Sequence, residues 1–587
     1  MSADPFAAGP LSVSGKRWTL RAVDERLALT HAQRLGVPEI VGRLLAGRGV
    51  GLDAADDFLN PRQKTQVPDP SRMAGMEKAA ARLADAIEAG EGVAVFGDYD
   101  VDGATSSALI VRYFRALGRD VTLYIPDRMR EGYGPNAAAM RTLAKGGARV
   151  IVTVDCGTLA FAALDAAAEA GADVIVCDHH APGERLPRAH AVVNPNRADD
   201  LSEQGHLAAA GVTFLLLVAV SRALRQRGFF ASRAEPDLLA LLDIVALGTV
   251  CDVVPLKGLN RAFVTQGLRV LARTGHPGLA ALMAAAGVKG VPGAYHLGFL
   301  LGPRINAGGR IAEGGLGARL LTTDDAEEAR LLAMQLDRLN RERQAIEGAI
   351  LDHAYEAGAR CATLPAFVAV AGETYHPGVI GIVAGRLKER FEAPAFVFAL
   401  DGGVAKGSAR SIPGVDVGAA VHEALALGLL ASGGGHAMAA GLTLPREGLP
   451  ALYQFLGERL SGAVAAARSD SYPLDCLVTA EGATSDLVAA MGRVGPFGAG
   501  NPEPRVAVPG VRLVHADIVG GDHVRAVAVG ESGARVKTIA FRSATTPLGE
   551  ALLKGVGRPL ALAGRLSRDD WNGREGVQLI VDDAVAA

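Results

Sequence analysis

Cysteine is scarce in this 587-residue chain, and long apolar runs are missing from it. The five cysteines show no repeated C-x-x-C spacing, which excludes a disulfide framework or a zinc ribbon and fits a reducing cytoplasm. No apolar run reaches the roughly 18 residues that a membrane span needs. The N-terminus also lacks a basic segment followed by an apolar core, so no secretory signal is predicted. We therefore expect a cytoplasmic protein with no membrane partner.

Excess charge of either sign is absent as well. The chain has 60 basic and 63 acidic residues, a formal charge of −3, so a nucleic-acid partner would have to meet a local basic surface. Its 49% hydrophobic and 21% charged residues are typical of a globular protein, and its length predicts three or four domains.

The order of apolar runs predicts an α/β protein with a β-barrel at its C-terminal end. Short apolar runs alternate with helical segments up to about residue 193, which predicts a parallel sheet covered on both faces. The charged run from Ala326 to Tyr355 has apolar residues at helical spacing and is either a surface helix or, as we prefer, a connector. The predicted divisions are a lead-in over residues 1–75, a parallel-sheet catalytic domain over 76–320, a connector helix over 321–358, a second, smaller α/β domain over 359–468, and an OB-like barrel over 469–587.

Three carboxylates alternate directly after a predicted strand, at Asp98, Asp100 and Asp102. On an extended chain such residues point the same way, so they could converge, and converging anions need a cation. An EF-hand calcium loop would need a preceding helix and a Glu at its twelfth position, which here is Leu109. A solvated acidic turn is the other alternative, but an apolar strand and an apolar helix flank the cluster closely.

The same placement recurs further along the chain. Asp155 follows one apolar strand, Asp178, His179 and His180 follow the next, and Asp252 follows Thr249-Val250-Cys251. Each alone would more often be a turn or cap residue, but the crevice at the carboxyl ends of parallel strands is where sites form. Carboxylates with one imidazole suit Mn²⁺ or Mg²⁺, and two such ions about 3.5–4 Å apart could activate water against a phosphoryl group. The neighbouring cysteines are interpreted as small buried strand residues: Cys156, Cys177 and Cys251.

These motifs together resemble a known family. GDYDVDG, TVDCG, CDHH and TVCD are similar to the DHH phosphoesterases, and the downstream motifs are similar to their RecJ branch, single-strand-specific 5′-to-3′ exonucleases that act in DNA repair and recombination. The resemblance covers nearly the whole chain and implies an enzyme with a DHH domain, a DHH-associated domain and an OB fold. The downstream motifs are GPRINAGGR (302–310), YHPGVIGIVAGRL (375–387), GSARSIPGVD (407–416), GGGHAMAAG (433–441) and GPFGAGNPEP (495–504).

The resemblance implies a centre of two Mn²⁺ or Mg²⁺ ions. Asp100 and Asp155 would hold one ion, with Asp98 near it. The other would lie among Asp102, Asp155, His179 and Asp252, so that Asp155 bridges the two. Many superfamily members carry a His four residues before the first paired Asp, but that position here is Phe96, and Asp98 or water would replace the lost nitrogen.

Two further residues of the DHH motif receive catalytic roles from the resemblance. Asp178 would orient the adjacent loop or an imidazole, and His180 would touch the scissile phosphate or the leaving oxygen. Arg304 would lie near the scissile group.

Phosphate binding should come from Arg side chains and backbone N–H groups in the Gly-rich stretches. The resemblance implies a 5′-phosphate pocket of Arg128, Ser408 and Arg410, while Tyr133 could stack on a base. For each Arg the alternative is a surface salt bridge. Three consecutive glycines permit positive φ and close backbone approach to a phosphate chain, although a plain tight turn is also possible. The other predicted DNA-binding residues are Asn306, Arg310, Gly434, Gly435 and His436.

The barrel region between Arg505 and Glu575 has 11 basic and 7 acidic residues. A basic groove with aromatic platforms such as Trp571 or Phe541 would bind single-stranded DNA there. The resemblance also implies a single-strand-binding protein and a RecQ-type helicase as partners, and a monomer is expected. The competing hypotheses are a DHH hydrolase of small phosphate substrates or short oligonucleotides, and a non-catalytic relative that has lost its metals.

Overall fold

Four β-sheets organise the chain in the computed structural model. A five-stranded sheet lies in each of two α/β units, a six-stranded sheet forms the C-terminal barrel, and a two-stranded sheet joins the N-terminal segment to that barrel. The residues that the structure describes are 10–61, 67–128, 130–361, 366–468, 470–569 and 576–586.

The N-terminal segment has one strand and three short helices. Asp24 caps the first helix by accepting hydrogen bonds from the backbone of Arg26 and Leu27. Two separate helices follow, because Gly36 ends the first with φ 59° and Pro38 comes directly before the second. The elements are β1 (Arg17–Leu20), α1 (Glu25–Leu35), α2 (Glu39–Gly47) and α3 (Ala55–Leu59).

The first α/β unit is built on a parallel sheet whose strands are β2 (Val93–Gly97), β3 (Val121–Tyr124), β4 (Val150–Val154), β5 (Asp173–Cys177) and β6 (Ala191–Val193). Its order is β3-β2-β4-β5-β6. Both faces are buried: Val93 and Val95 pack into one apolar cluster, whereas Ala94 and Phe96 pack into another. The sequences of such strands are continuous apolar runs, because helices cover both faces of the sheet.

The helices of this unit include one that resembles a membrane span by composition. Helix Ala209–Gln226 has a mean hydropathy of 1.3, and 72% of it is buried inside the protein. The expectation that no apolar run reaches that length was therefore wrong, since the core of a large α/β unit needs such a helix. The helices are α4 (Met76–Ala89), α5 (Val101–Ala116), α6 (Ala137–Lys145), α7 (Phe161–Glu169), α8 (Ala209–Gln226), α9 (Leu242–Cys251), α10 (Gly258–Leu271), α11 (Pro277–Ala285), a π-helix (His296–Leu301), α12 (Gly302–Ile311) and α13 (Leu316–Thr322).

A 36-residue helix, α14 (Ala326–Cys361), leads from the first α/β unit to the second. The second unit has a mixed sheet in the order β10-β11-β9-β8-β7, in which only the β7–β8 pair is parallel. Its elements are β7 (Val368–Gly372), α15 (Ile380–Phe391), β8 (Ala395–Asp401), β9 (Val404–Arg410), α16 (Val417–Ala426), β10 (Ser432–His436), β11 (Ala439–Pro445) and α17 (Leu449–Ala467).

The C-terminal sheet closes into a barrel, because β14 pairs with β15 on one side and with β17 on the other. The α/β fold class, with a long connecting helix and an OB-like barrel, is thereby confirmed. Trp571, one of the two predicted aromatic platforms, lies outside the described residues, and Phe541 is 54% exposed. The elements are β12 (Ser471–Leu474), β13 (Cys476–Leu477), α18 (Ser485–Gly492), β14 (Val506–Val519), β15 (His523–Val529), β16 (Arg535–Ala540), α19 (Pro547–Lys554), β17 (Pro559–Asp569) and β18 (Gly576–Ala586).

The N-terminal segment packs against this barrel although it lies at the other end of the sequence. Strand β1 pairs in parallel with β12, and the Trp18 indole donates a hydrogen bond to the buried Asp583 over 2.9 Å. Leu44 and Leu45 of α2 share one apolar core with barrel residues such as Leu513. Removing the chain from Tyr472 onward would therefore expose the core of the N-terminal segment as well.

A buried arginine joins the first α/β unit to this combined module. Arg261 of α10 is 2% exposed, and its guanidinium lies 3.8 Å from the centre of the Phe58 ring. It donates hydrogen bonds to the carbonyl oxygens of Phe58, Val494 and Gly495. Burial lowers the pKa of Arg261 to about 10, but the group stays charged at neutral pH.

We predict that Arg261→Met lowers the free energy of unfolding by about 3 kcal/mol, because three carbonyl groups, one buried and two partly buried, lose a charged donor. Arg261→Lys is the matched control, since it keeps the charge and part of the bonding and should lose less. Urea denaturation measures both variants. An Arg261→Met protein as stable as the unsubstituted one would contradict this account of the junction.

Candidate metal centre and phosphate cavity

The acidic cluster lies where β2 turns into α5. The expected extended spacing is wrong here, because the strand ends at Gly97 and the helix begins at Val101. Asp100 caps that helix: its Oδ1 accepts hydrogen bonds from the backbone of Asp102 (2.9 Å) and Gly103 (3.1 Å). A Cβ at Gly103 would come within 2.4 Å of the Asp98 carbonyl oxygen, so only glycine permits this tight turn. The three carboxylates thus converge through a helix cap and not along a strand.

A second helix end orients Asp102. Its two carboxylate oxygens accept hydrogen bonds from the backbone N–H groups of Ala209 (2.6 Å) and Ala210 (2.9 Å), in the first turn of α8. The N-terminal end of a helix carries partial positive charge, which stabilises this anion in the interior. Nevertheless burial and the neighbouring Asp100 raise the pKa of Asp102.

The backbone is strained at one predicted ligand, Asp155, and directly after another, Asp252. Asp155 follows β4 with φ 60°, and Val253, directly after Asp252, has φ 61°. Left-handed conformations are uncommon for residues with a side chain, least of all for a β-branched one, and they cluster at functional sites. The turn at Asp155 aims a fully buried carboxylate at the end of the sheet.

His179 lies among three carboxylates from three different elements. Its Nε2 is 3.3 Å from an oxygen of Asp155, 3.6 Å from one of Asp252 and 3.9 Å from one of Asp102. Of the three cysteines predicted as buried strand residues, only Cys177 is one. Cys156 is buried but follows the end of β4, and Cys251, directly before Asp252, ends helix α9 and is partly exposed. Burial and the adjacent His180 lower the pKa of His179 to about 4, so the imidazole is neutral and available as a ligand.

Three groups of ligand atoms, each within 4.8 Å, meet at this point: Asp98–Asp100–Asp155, Asp102–His179–Asp252, and Asp155–His179–His180. Asp155 belongs to two of them. The first two groups correspond to the two predicted ion sites, with Asp155 between them.

The donor atoms of this centre fit a pair of hard divalent cations. Among the described residues, buried oxygens of Asp98, Asp155 and Asp252 and the Nε2 of His179 have no hydrogen-bond partner. Burial, together with the Asp100 carboxylate, raises the pKa values of Asp98 and Asp155 well above the usual range. Burial and Asp102 do the same for Asp252. Cations would satisfy these atoms and remove the repulsion.

Phe96, at the position where the resemblance to the wider superfamily implied a lost nitrogen ligand, belongs to the core. It is fully buried and its ring stacks on Tyr124 with 5.3 Å between ring centres. The group around Asp98, Asp100 and Asp155 therefore offers only carboxylate oxygens.

His180 is held beside the centre by its own hydrogen bond. Its Nδ1 lies 2.8 Å from Oδ1 of Asp178, and the other Asp178 oxygen accepts the backbone N–H of Thr158 over 3.0 Å. Despite burial, these bonds hold the pKa of Asp178 below its usual value; burial lowers the pKa of His180, but Asp178 outweighs it and raises that pKa. Tyr133 donates a hydrogen bond to the Asp155 carbonyl oxygen (3.1 Å) and contacts His180 edge-on.

A cavity of about 540 Å³ separates this centre from the second α/β unit. Its far wall carries Lys406, Ser408 and Arg410, which alternate along β9 and so face the same side. His436 reaches across from β10, and its ring stacks on that of His180 with 6.1 Å between ring centres. The two units thus enclose one site.

Three guanidinium groups line the same cavity, from Arg128, Arg310 and Arg410. Along the part of the chain that the structure describes, no carboxylate lies within 4.0 Å of any of them, and Arg128 instead lies 5.1 Å over the Tyr99 ring. Burial and then the two other arginines lower the pKa of Arg310 to about 10. Partly buried arginines without a counter-ion indicate an anionic ligand.

Glycine leaves room for close contacts around these arginines. A Cβ at Gly381, in the first turn of α15, would meet Arg410 at 3.0 Å and Ser408 at 3.1 Å. A Cβ at Gly378 would come within 2.1 Å of the Arg310 carbonyl oxygen. The interface between the two α/β units therefore depends on bare backbone.

Some predicted residues lie elsewhere. Arg304 does not line the cavity, because its guanidinium is paired with Asp337 of α14 at 2.9 Å. The Gly-rich stretch around it is helical (α12), and Asn306 and Arg310 on that helix do reach the cavity. The three-glycine run is a strand and not a turn; Gly433 lines the cavity, whereas Gly434 and Gly435 pair with β11. Lys406 was missed, although its i, i+2, i+4 spacing with Ser408 and Arg410 was visible in the sequence.

Comparison with known proteins identifies three segments of the chain. Residues 92–249 match the DHH family, N-terminal domain, residues 364–462 match the DHHA1 domain, and residues 474–583 match the RecJ OB domain.

Full-length relatives agree with these matches. The single-stranded-DNA-specific exonuclease RecJ of Escherichia coli is 37% identical over 96% of this chain and 98% of that protein. The protein of the same name from Bacillus subtilis is 35% identical over 98% of this chain and 71% of its own length. The crystal structure of RecJ in complex with Mn²⁺ from Thermus thermophilus has a TM-score of 0.80 at 30% identity, covering 97% of this chain and 79% of that one. With its domains, its sequence and its fold all aligned to the same proteins, the chain belongs to the RecJ family.

Proposed function

We propose that this protein is a single-stranded-DNA-specific exonuclease that removes nucleotides from the 5′ end with two Mn²⁺ or Mg²⁺ ions. One observation carries the proposal: a carboxylate–histidine centre and three arginines that have no ion-pair partner among the described residues line one cavity. The carboxylates suit cations, and the arginines suit the phosphate groups of a strand. The names of the relatives, and the Mn²⁺ in the Thermus thermophilus structure, support the same reaction and cofactor.

The ligand atoms divide between two ions. Asp98, Asp100 and Asp155 would hold one, and Asp102, Asp155, His179 and Asp252 the other. When bound, such a pair of ions polarises the phosphoryl group and lowers the pKa of a water molecule.

The protein's own side chains position the strand. Arg128, Ser408 and Arg410 would bind the terminal 5′-phosphate, because a terminal phosphate has more charge than a bridging one and these groups have no counter-ion among the described residues. Asp178 holds the His180 ring, which would donate a hydrogen bond to the scissile phosphate or the leaving oxygen. Tyr133 supports the same ring from the side and would contact the terminal base.

The setting of the reaction follows the family. We propose that the protein works as a monomer in the cytoplasm, in DNA repair and recombination, with a single-strand-binding protein and a RecQ-type helicase. The four described cysteines are all free, which supports a reducing compartment.

The direct test is a single-stranded 30-mer labelled separately at each end and incubated with Mn²⁺. We expect mononucleotides from the 5′ label at the earliest times and slow loss of the 3′ label. A series of 5′-phosphorylated strands distinguishes the small-substrate alternative: if 3-mers are cleaved far faster than 30-mers, the protein is instead a hydrolase of short oligonucleotides.

Asp155→Asn should lower Mn²⁺-dependent turnover about a thousand-fold or more, because both ion sites lose a shared ligand. The metal-free variant should be at least as stable as the unsubstituted protein, since one of several buried, mutually repelling carboxylates is gone. Mn²⁺ at a hundred times its dissociation constant should stabilise the unsubstituted protein by about 2.7 kcal/mol and the variant far less. Asp165→Asn, on the exposed side of α7, is the control. An active variant that Mn²⁺ still stabilises would refute the shared ligand.

Arg410→Ala should lower kcat/KM for 5′-phosphorylated strands by about 10- to 150-fold, the effect of one lost hydrogen bond to a charged group. Strands with a 5′-hydroxyl should lose much less. Arg446→Ala is the control, because Arg446 lies in the same unit but pairs with Glu373 at the surface. Equal losses on both kinds of strand would exclude Arg410 from a terminal-phosphate pocket.

A further inference from the structure

The GPFGAGNPEP motif, here called the motif loop (residues 495–504), lies against the segment that follows a predicted metal ligand. Asp252 is joined to α10 by a short connection, residues 253–257, here called the Asp252 connection. Its first residue, Val253, has φ 61° and is 70% exposed. A β-branched residue keeps such a strained conformation only where the surrounding structure holds the chain in place. Because Val253 itself faces solvent, the contacts that hold this conformation lie further along the connection.

Those contacts come from the motif loop. The backbone N–H of Leu256 donates a hydrogen bond to the Ala499 carbonyl oxygen over 2.7 Å, and Leu256 is 2% exposed. A Cβ at Gly500, whose φ is 70°, would lie 3.0 Å from the Cβ of Pro255. A Cβ at Gly498 would lie 2.8 Å from a methyl carbon of Leu256. Two glycines therefore let the motif loop fit closely around the end of the Asp252 connection.

Buried polar side chains hold the motif loop in turn. Asn501 is 2% exposed, and its amide nitrogen donates hydrogen bonds to the carbonyl oxygens of Val494 (2.9 Å) and Pro496 (2.8 Å). Its amide oxygen accepts a hydrogen bond from Arg48 of the N-terminal segment over 2.7 Å. Arg261 of α10 donates to the same Val494 carbonyl oxygen over 3.1 Å. A loop whose buried polar groups are paired in this way is a fixed support.

The motif loop contributes neither a ligand atom nor a cavity wall. Within the described ranges, the three groups of ligand atoms and the lining of the 540 Å³ cavity contain no residue from 495 to 504. Its close contacts lead instead to Asp252, which belongs both to a ligand group and to the cavity lining.

We propose that the motif loop positions Asp252 for metal binding, so that the C-terminal region contributes to the metal centre without supplying a ligand. The inference rests on the proposed two-ion function. Gly500 and Asn501 are positioning residues: Asn501 shapes the loop, and Gly500 admits Pro255, three residues after Asp252. Groups that orient a metal ligand typically change metal affinity about 10- to 100-fold when they are altered. The ion site affected, here called the His179 site, consists of Asp102, Asp155, His179 and Asp252.

The test is Mn²⁺ binding to the DNA-free protein, measured by calorimetric titration and by the paramagnetic resonance signal of free Mn²⁺. The unsubstituted protein should bind two ions. Gly500→Ala should lower the affinity of one site about 10- to 100-fold and leave the other within about threefold. Gly557→Ala is the matched control, because Gly557 also has a left-handed backbone (φ 82°) but a Cβ there would have no neighbour within 4 Å. Both variants carry the same kind of backbone strain, so their melting temperatures in EDTA should fall alike.

A double-mutant cycle assigns the weakened site. In an Asp252→Asn protein, Gly500→Ala should change no remaining Mn²⁺ affinity by more than about twofold, because the ligand that the loop positions is already lost. A further large loss in that background would show that the loop does not act through Asp252 and would overturn the proposal. Should Gly500→Ala fail to fold, Gly498→Ala carries the same test. Gly498 has no left-handed backbone and its Cβ would press on the Leu256 side chain, so the same affinity should fall, but less.

The outcomes separate this inference from the proposed function. A native protein that binds no pair of Mn²⁺ ions would refute the two-ion function itself. A native protein that binds two ions, with both affinities unchanged in Gly500→Ala, would refute the positioning role alone. In turnover, Gly500→Ala should need about 10- to 100-fold more Mn²⁺ for half its maximal rate, with KM for the strand at saturating Mn²⁺ within about twofold. A raised KM at unchanged Mn²⁺ dependence would indicate a role in DNA binding and would also overturn the proposal.

Discussion

Repulsion between buried carboxylates is the constraint on which the rest of this structure depends. Asp98, Asp102, Asp155 and Asp252 meet in the interior, and no basic side chain among the described residues forms an ion pair with them other than the two histidines. Such a group is unfavourable unless cations offset the charge. Local backbone structure holds these carboxylates in place. Helix N-terminal ends bond Asp100 and Asp102, and Asp155 has a left-handed backbone conformation.

The arrangement of the two α/β units follows from that charge distribution. The carboxylates belong to the first unit, whereas the basic side chains come from both: Arg128 and Arg310 from the first, and Lys406 and Arg410 from the second, which α14 brings across the cleft. Arg310 lies at the junction, where Gly378 lets the second unit touch its backbone. Metal ions held by the carboxylates, together with guanidinium groups from both units, would leave a gap suited to a phosphate chain. Neither unit alone contains the complete site, so the long connecting helix serves recognition and not only linkage.

The sequence was most informative where local rules decide the structure. Largely apolar strands such as β2 and β4, followed by acidic residues, predicted both the parallel sheet and the metal centre. It was least informative where distant segments meet. The pairing of β1 with β12 joins residues more than 450 positions apart, and the pairing of Arg304 with Asp337 depends on how α12 packs on α14. The glycine runs misled for a related reason: they were interpreted as ligand-binding loops, but in α12 and β10 they allow close packing within regular elements.

Phe96 illustrates how one core position sets the chemistry of the site. Its ring fills the apolar layer under the sheet beside Tyr124, so this position offers aromatic packing and no ligand atom. The ion site around Asp98, Asp100 and Asp155 is left with oxygen donors alone, and the neighbouring site has a single imidazole, His179, with carboxylates. Ligand sets that consist mainly of oxygen atoms favour Mn²⁺ or Mg²⁺ over Zn²⁺ or copper. The choice of metal is therefore decided partly by a residue that never contacts it.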